Sequence, residues 1–303
     1  MAGIGGLKRT IWRDGMVWPE QADLVALVRY GWPLIGALAA GAIAINLDRI
    51  VLGRFGGAVS VAAYGATVDV VRQGFVVLGE AIAAAYMSTA KAQAGNAAAR
   101  QAALGRAFVT LWSVVGFGCV SWLLFGSVVL GLLLAPGYAE ASADILPLLV
   151  AGTALLALRA YYFGQVIYFA GSARREVIAS GVMVAVAAVV AISLVPRFGM
   201  VGAGWALLAT QAAGLVSFLI ADRQSRIMPV DWRAMGVATG WIVVTGLVAF
   251  VLVALAGWAG WWAGLCPVLG SAAGLAVTRD LFGARQVLNY LLARGGKVSS
   301  RRQ

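Results

Sequence analysis

A chain of 303 residues that is 62% hydrophobic and 12% charged, with mean hydropathy +0.89, carries more apolar surface than a water-soluble core of that length can hide. Its net charge of +11 comes from short basic stretches between apolar runs, which fits loops facing an anionic leaflet and argues against a nucleic acid partner. With no histidine, His-ligated metals, histidine acid–base catalysis and Ser-His-Asp triads drop out.

Lipid admits only helices and closed barrels, because backbone polar groups find no water there. The apolar runs are longer than barrel strands and do not alternate, so they read as helices. The expected fold is an all-α integral membrane protein with about eight transmembrane helices. The segment 1–30 reads as a lead-in without a signal peptide, since Lys8, Arg9, Arg13 and Asp14 precede any long apolar run. Within it, Trp18 to Tyr30 is expected to form a short amphipathic helix along the membrane surface, with an unstructured lead-in as the alternative.

The spans then follow in order. They run from Gly31 to Gly53, Val59 to Ser88, Phe108 to Leu134, Ile145 to Ala170 and Val177 to Val195, where Pro196 is expected to stop the helix. Val201 to Ile220, Met235 to Ala256 and Trp261 to Thr278 complete the set. Residues 31–222 form a six-helix lobe, 223–280 two further spans and 281–303 a basic tail. Alternate loops are basic: Lys91, Arg100 and Arg106 lie in one, Arg174 and Arg175 in the next, Arg223, Arg226 and Arg233 in a third. The intervening loops are nearly free of cations, so both termini are expected on the cytoplasmic side.

Gly236 with Gly240, and Gly270 with Gly274, are spaced to let the last two helices approach closely. Trp258, Trp261 and Trp262 read as an interfacial anchor between them. Cys119 and Cys266 both fall in apolar runs, where neither a disulfide framework nor a metal site is expected.

A charge at bilayer depth costs several kcal/mol on most estimates, so the charged positions inside the spans carry the functional signal. The first span holds Asn46, Asp48 and Arg49, the second Asp69, Arg72 and Glu80, the fourth Arg159 and Gln165. At about 100° per residue, Asp69 and Glu80 lie within about 20° of each other, and Arg72 lies three residues from Asp69. This stripe reads as the wall of a hydrophilic cavity, as a buried pair that fixes helix packing, or with Glu80 snorkelling to the interface. Arg159 has no carboxylate within four residues; Asp69, Asp48 or a ligand phosphate could face it, and its planar fork suits phosphate. Asp48 and Arg49, near the outer end of the first span, could cap and snorkel as readily as touch substrate. No Walker loop, dinucleotide fingerprint or H-E-x-x-H occurs, so no cofactor and no ATP hydrolysis are expected. The short outer loops argue against a membrane enzyme.

Four motifs carry a family resemblance. They are Gly31-Trp32-Pro33-Leu34 with Asn46-Leu47-Asp48-Arg49-Ile50-Val51-Leu52-Gly53, then Val61-Ala62-Ala63-Tyr64. Pro136-Gly137-Tyr138-Ala139-Glu140-Ala141 with Ile145-Leu146-Pro147, and Leu194-Val195-Pro196-Arg197-Phe198-Gly199-Met200-Val201-Gly202-Ala203-Gly204, follow in order. From Gly31 to about Asp222 the chain resembles the second lobe of the polysaccharide and lipid-linked oligosaccharide flippases, in the superfamily of the multidrug exporters. The resemblance implies movement of an undecaprenyl-diphosphate-linked saccharide across a bacterial cytoplasmic membrane, with membrane lipids around it. On that footing Arg72, Arg159, Gln165 and Arg49 are candidate substrate contacts, and Asp69, Glu80 and Asp48 candidate ion-coupling groups. Members of the family work with two lobes rocking about one site. The implied partner is therefore a separate first-lobe chain or a second copy of this chain. A drug or small-cation exporter and a non-transporting scaffold in a polysaccharide-synthesis complex are the alternatives.

Overall fold

The computed structural model describes residues 21–93, 95–169, 173–225, 227–256 and 261–278. Among them every regular element is helical. Helix α1 runs Gln21–Phe55, α2 Gly57–Ala92, α3 Ala97–Leu133 and the short α4 Pro136–Ser142. Helix α5 is Leu146–Tyr161, extended by a 3-10 turn over Phe163–Tyr168. Helix α6 is Arg174–Ser225, α7 Trp232–Ala256 and α8 Trp261–Thr278. Five helices are long and apolar enough to cross a membrane: α1, α3, α5 with its 3-10 turn, α6 and α7. Asp69, Arg72, Gln73 and Glu80 lower the hydropathy of α2, which is 36 residues long.

Two boundaries differ from those the sequence suggests. Gln21 to Tyr30 is helical, but it continues into α1 without a break, so no separate surface helix ends at Tyr30. Trp18 to Glu20 lie outside the described residues. The second difference is at Pro196, which does not stop its helix. The chain stays helical to Gly199, where φ 54° and ψ −126° turn it back on itself. Proline removes one N–H and crowds the preceding turn, but reversal needs a conformation open only to glycine. Arg175 Nη1 and Asp222 Oδ1 meet at 3.2 Å, so the two ends of α6 lie side by side and its arms, 174–198 and 200–225, form a hairpin.

Between helices in lipid there is little hydrophobic drive, so association depends on close packing of small residues. The most extensive contact, α1 against α6, fits that rule: Ala37, Ala44, Ala187 and Ala191 are buried, and Gly41 faces Ser180. Helices α2, α3 and α5 meet over Val71, Phe75, Ile82, Leu111 and an aromatic cluster of Phe108, Tyr162 and Phe163. The outward faces of α1, α6 and α7 are apolar and exposed, as lipid-facing surface should be.

Helices α7 and α8 pack on each other, but a methyl group at Gly236, Gly240 or Gly270 would meet open space. The close approach is at Gly264, against Val253 and Phe125. Trp258 and the side chains of Trp261 and Trp262 lie outside what the structure describes. Cys119 and Cys266 are free.

Candidate functional site

The polar groups gather where the end of α1 crosses α2. Asp69 stands twelve residues into α2, about 18 Å along its axis. It accepts from Arg49 on α1 through both oxygens, Nη2 to Oδ1 at 2.7 Å and Nη1 to Oδ2 at 3.1 Å. It also accepts from Arg72 Nη2 at 2.7 Å. Gly65, one turn before Asp69, leaves its carbonyl within 3.4 Å of Arg49 Nη2. The sequence placed Asp69 and Arg72 on one stripe, and the structure pairs them. It also adds Arg49, which the sequence left open between capping or snorkelling and substrate contact.

Beneath this open trio sits a closed pair. Asp48 is buried, and its carboxylate accepts from the Tyr64 hydroxyl and from the Arg49 backbone N–H. Tyr64 is fully buried and stands 3.2 Å from the carbonyl of Ala203, just past the Gly199 turn. The network thus touches α1, α2 and the second arm of α6. Its four charges, Asp48, Arg49, Asp69 and Arg72, balance. The open face is unbalanced, since two guanidiniums share one carboxylate whose side chain is 48% exposed. Arg72 gives Asp69 only one of its five N–H donors, so the others can take a further anion.

The other candidates lie apart from this cluster. Glu80 is exposed, three turns along α2, beside the residue that receives the Tyr161 ring. Arg159 is 7% exposed; its Nε donates to Gln211 Oε1 at 3.1 Å, and its stem packs against Gly214 near Met183. The opposite charge it senses is Glu176 at the start of α6, rather than Asp69 or Asp48. Gln165, in the 3-10 turn, donates to the Ala160 carbonyl at 3.2 Å.

Three contributors were missed from the sequence. Tyr64 was noticed only as a motif letter. Gln211 could have been found as a lone amide in an apolar run, while Glu176, one residue before the fifth expected span, carried no signal of its own. No group of acidic or cysteine side chains among the described residues could hold a metal ion.

An apolar groove of about 760 Å³ lies between α2, α3 and α8. Phe75, Leu78, Phe117, Trp122, Leu265 and Leu269 are among its walls.

Residues 2–87, spanning α1 and most of α2, match a family model described as polysaccharide biosynthesis protein. The fold matches a solved structure, the lipid II flippase MurJ in an inward closed conformation, with a TM-score of 0.67 at 11% sequence identity. That match covers 94% of this chain and 59% of the flippase, so the chain spans under two thirds of the protein whose fold it shares. No curated protein matches the chain by sequence. The two matches bear out the resemblance to polysaccharide and lipid-linked flippases. The helical fold matches that structure, and the long apolar helices support a multi-pass membrane protein.

Proposed function

We propose that this chain forms one lobe of a flippase that moves an undecaprenyl-diphosphate-linked saccharide precursor across the bacterial cytoplasmic membrane. The observation that carries the proposal is the open trio of Arg49, Asp69 and Arg72, with two guanidiniums sharing one half-exposed carboxylate in segments that the sequence reads as membrane spans. A charge there is costly unless water, a partner or a ligand meets it. A diphosphate fits this chemistry, because guanidinium donors bind phosphate oxygens as they bind carboxylate. The substrate would compete with Asp69 for Arg72, and Asp69 would keep the site neutral while it is empty. A small-cation exporter would instead need carboxylates without basic neighbours.

In this proposal the prenyl chain lies in the apolar groove between α2, α3 and α8. Asp69 and Glu80 remain the groups for an ion-coupled step, and Asp48 locks the outer end of α1. Arg159 and Gln165 support the frame rather than touch substrate, because Arg159 is buried against Gln211 and Gly214 and Gln165 turns back onto the Ala160 carbonyl. A lobe of this size would work with a first-lobe chain or a second copy of itself. The scaffold alternative draws on the same 59% coverage of the flippase.

The test is reconstitution in vesicles with a fluorescent undecaprenyl-diphosphate-linked oligosaccharide, using the chain with whatever polypeptide co-purifies from its native host. Translocation that falls at least about tenfold in Arg72→Ala supports the proposal. No translocation with any co-purified chain, or equal rates in Arg72→Ala, would replace flipping with the scaffold role.

A further inference from the structure

At the end of the bundle opposite the Arg49–Asp69 pair, two hollows adjoin around the linker from α6 to α7. One, of about 730 Å³, lies between the start of α3, the end of α6 and the start of α7; the other, of about 470 Å³, continues past Pro229 and Val230. Arg223 stands at the rim of the first and Arg106 at the rim of the second, and both are exposed. Neither arginine has a carboxylate partner among the described residues. The acids nearby are engaged. Asp222 pairs with Arg175 and accepts from the backbone N–H groups of Ile227 and Met228. Asp231 caps α7 by accepting from Ala234 N at 2.9 Å. Arg100 and Arg233 each lie one residue from a lining position, Gln101 and Trp232.

The remaining walls suit a lipid. Val216 and Ile220, on the second arm of α6, are 51% and 68% exposed and run from the rim along the helix toward the Gly199 turn. Trp232, 62% exposed, lines the same hollow at the start of α7. Basic pockets between spanning helices recruit anionic headgroups, and the loop charges predict that this end faces the anionic leaflet.

We propose that this groove binds one anionic phospholipid, its phosphate between Arg106 and Arg223 and one acyl chain along Val216 and Ile220. The site is separate from the open trio and does not depend on the flippase proposal. A bound lipid there would fasten α3, α6 and α7 to one another beside the short linker that joins α6 to α7.

The experiment is native mass spectrometry of the full chain in mild detergent, titrated with phosphatidylglycerol and, separately, with phosphatidylcholine. The wild type is expected to retain one phosphatidylglycerol with an apparent affinity roughly tenfold to thirtyfold above phosphatidylcholine. The double variant Arg106→Gln/Arg223→Gln loses that preference, while Arg197→Gln at the other end keeps it. Thermal midpoints of all three are measured alongside, so that loss of fold is seen as such. Equal retention of the two lipids overturns the proposal, as does unchanged preference in a folded double variant. Displacement by excess inorganic phosphate also overturns it, since an acyl chain would then add nothing. So does displacement by a co-purifying protein, which would make the groove a protein interface.

Discussion

Arg49 and Asp69 face each other across two helices in a forked ion pair, and Arg72 binds the same carboxylate from the side. Asp69 is half exposed, so each bond adds about 1 kcal/mol of stability or less. The pair matters more for how it meters positive charge. Asp69→Asn should lower the melting midpoint by only a few degrees. It should tighten binding of an undecaprenyl-diphosphate-linked oligosaccharide in nanodiscs, because both guanidiniums lose their competitor. Arg72→Ala should weaken the same binding by about tenfold or more, the scale of one charge-assisted hydrogen bond. Opposite signs in the two variants are the diagnostic; weakening in both would mean that Asp69 itself touches substrate.

Tyr64 is the buried donor to a buried acid. Tyr64→Phe removes the hydroxyl and leaves Asp48 short of a partner, which should cost about 1–3 kcal/mol. Adding Asp48→Asn in the same chain should recover part of that loss, since the group left unpaired is then uncharged. Thermal midpoints of the single and double variants in detergent measure it. Full additivity of the two losses would break the assigned link between them.

Gly79 of α2 and Gly236 of α7 should behave differently although both lie inside helices. A methyl at Gly79 would overlap the Tyr161 ring of α5, whereas one at Gly236 meets open space. Gly79→Ala should destabilise by about 1–3 kcal/mol through overpacking. Gly236→Ala should be neutral or slightly stabilising, since alanine is the better helix former. Equal losses at both would restore the spaced-glycine packing that α7 and α8 do not show.

What the sequence revealed follows from what it can encode locally. Apolar length and alternating loop charge made the helical membrane fold legible, and helical spacing made the Asp69–Arg72 stripe legible. Contacts between distant segments were not. Nothing near Arg49 says that α1 crosses α2 one turn from Gly65, so its bond to Asp69 had no local signal. Arg159 showed the reverse case. An arginine without a near carboxylate left its partner open between another helix and a ligand, and its hydrogen-bond partner in the structure is the amide of Gln211, 52 residues away. Spaced glycines misled for the same reason: spacing marks a smooth face, and only tertiary packing decides whether a neighbour uses it.

The Gly199 turn gives the sharpest test of the backbone. Both arms of α6 depend on a reversal at φ 54° and ψ −126°, a region that side chains with a Cβ rarely enter. Gly199→Ala should therefore cost about 1–3 kcal/mol. The loss should centre on the turn, where Ala203 offers its carbonyl to Tyr64, and should speed hydrogen exchange there more than at Arg175 and Asp222. Pro196→Ala, three residues earlier, should be close to neutral, because the helix already continues through Pro196. A Pro196→Ala loss as large as that of Gly199→Ala would return control of the reversal to the proline.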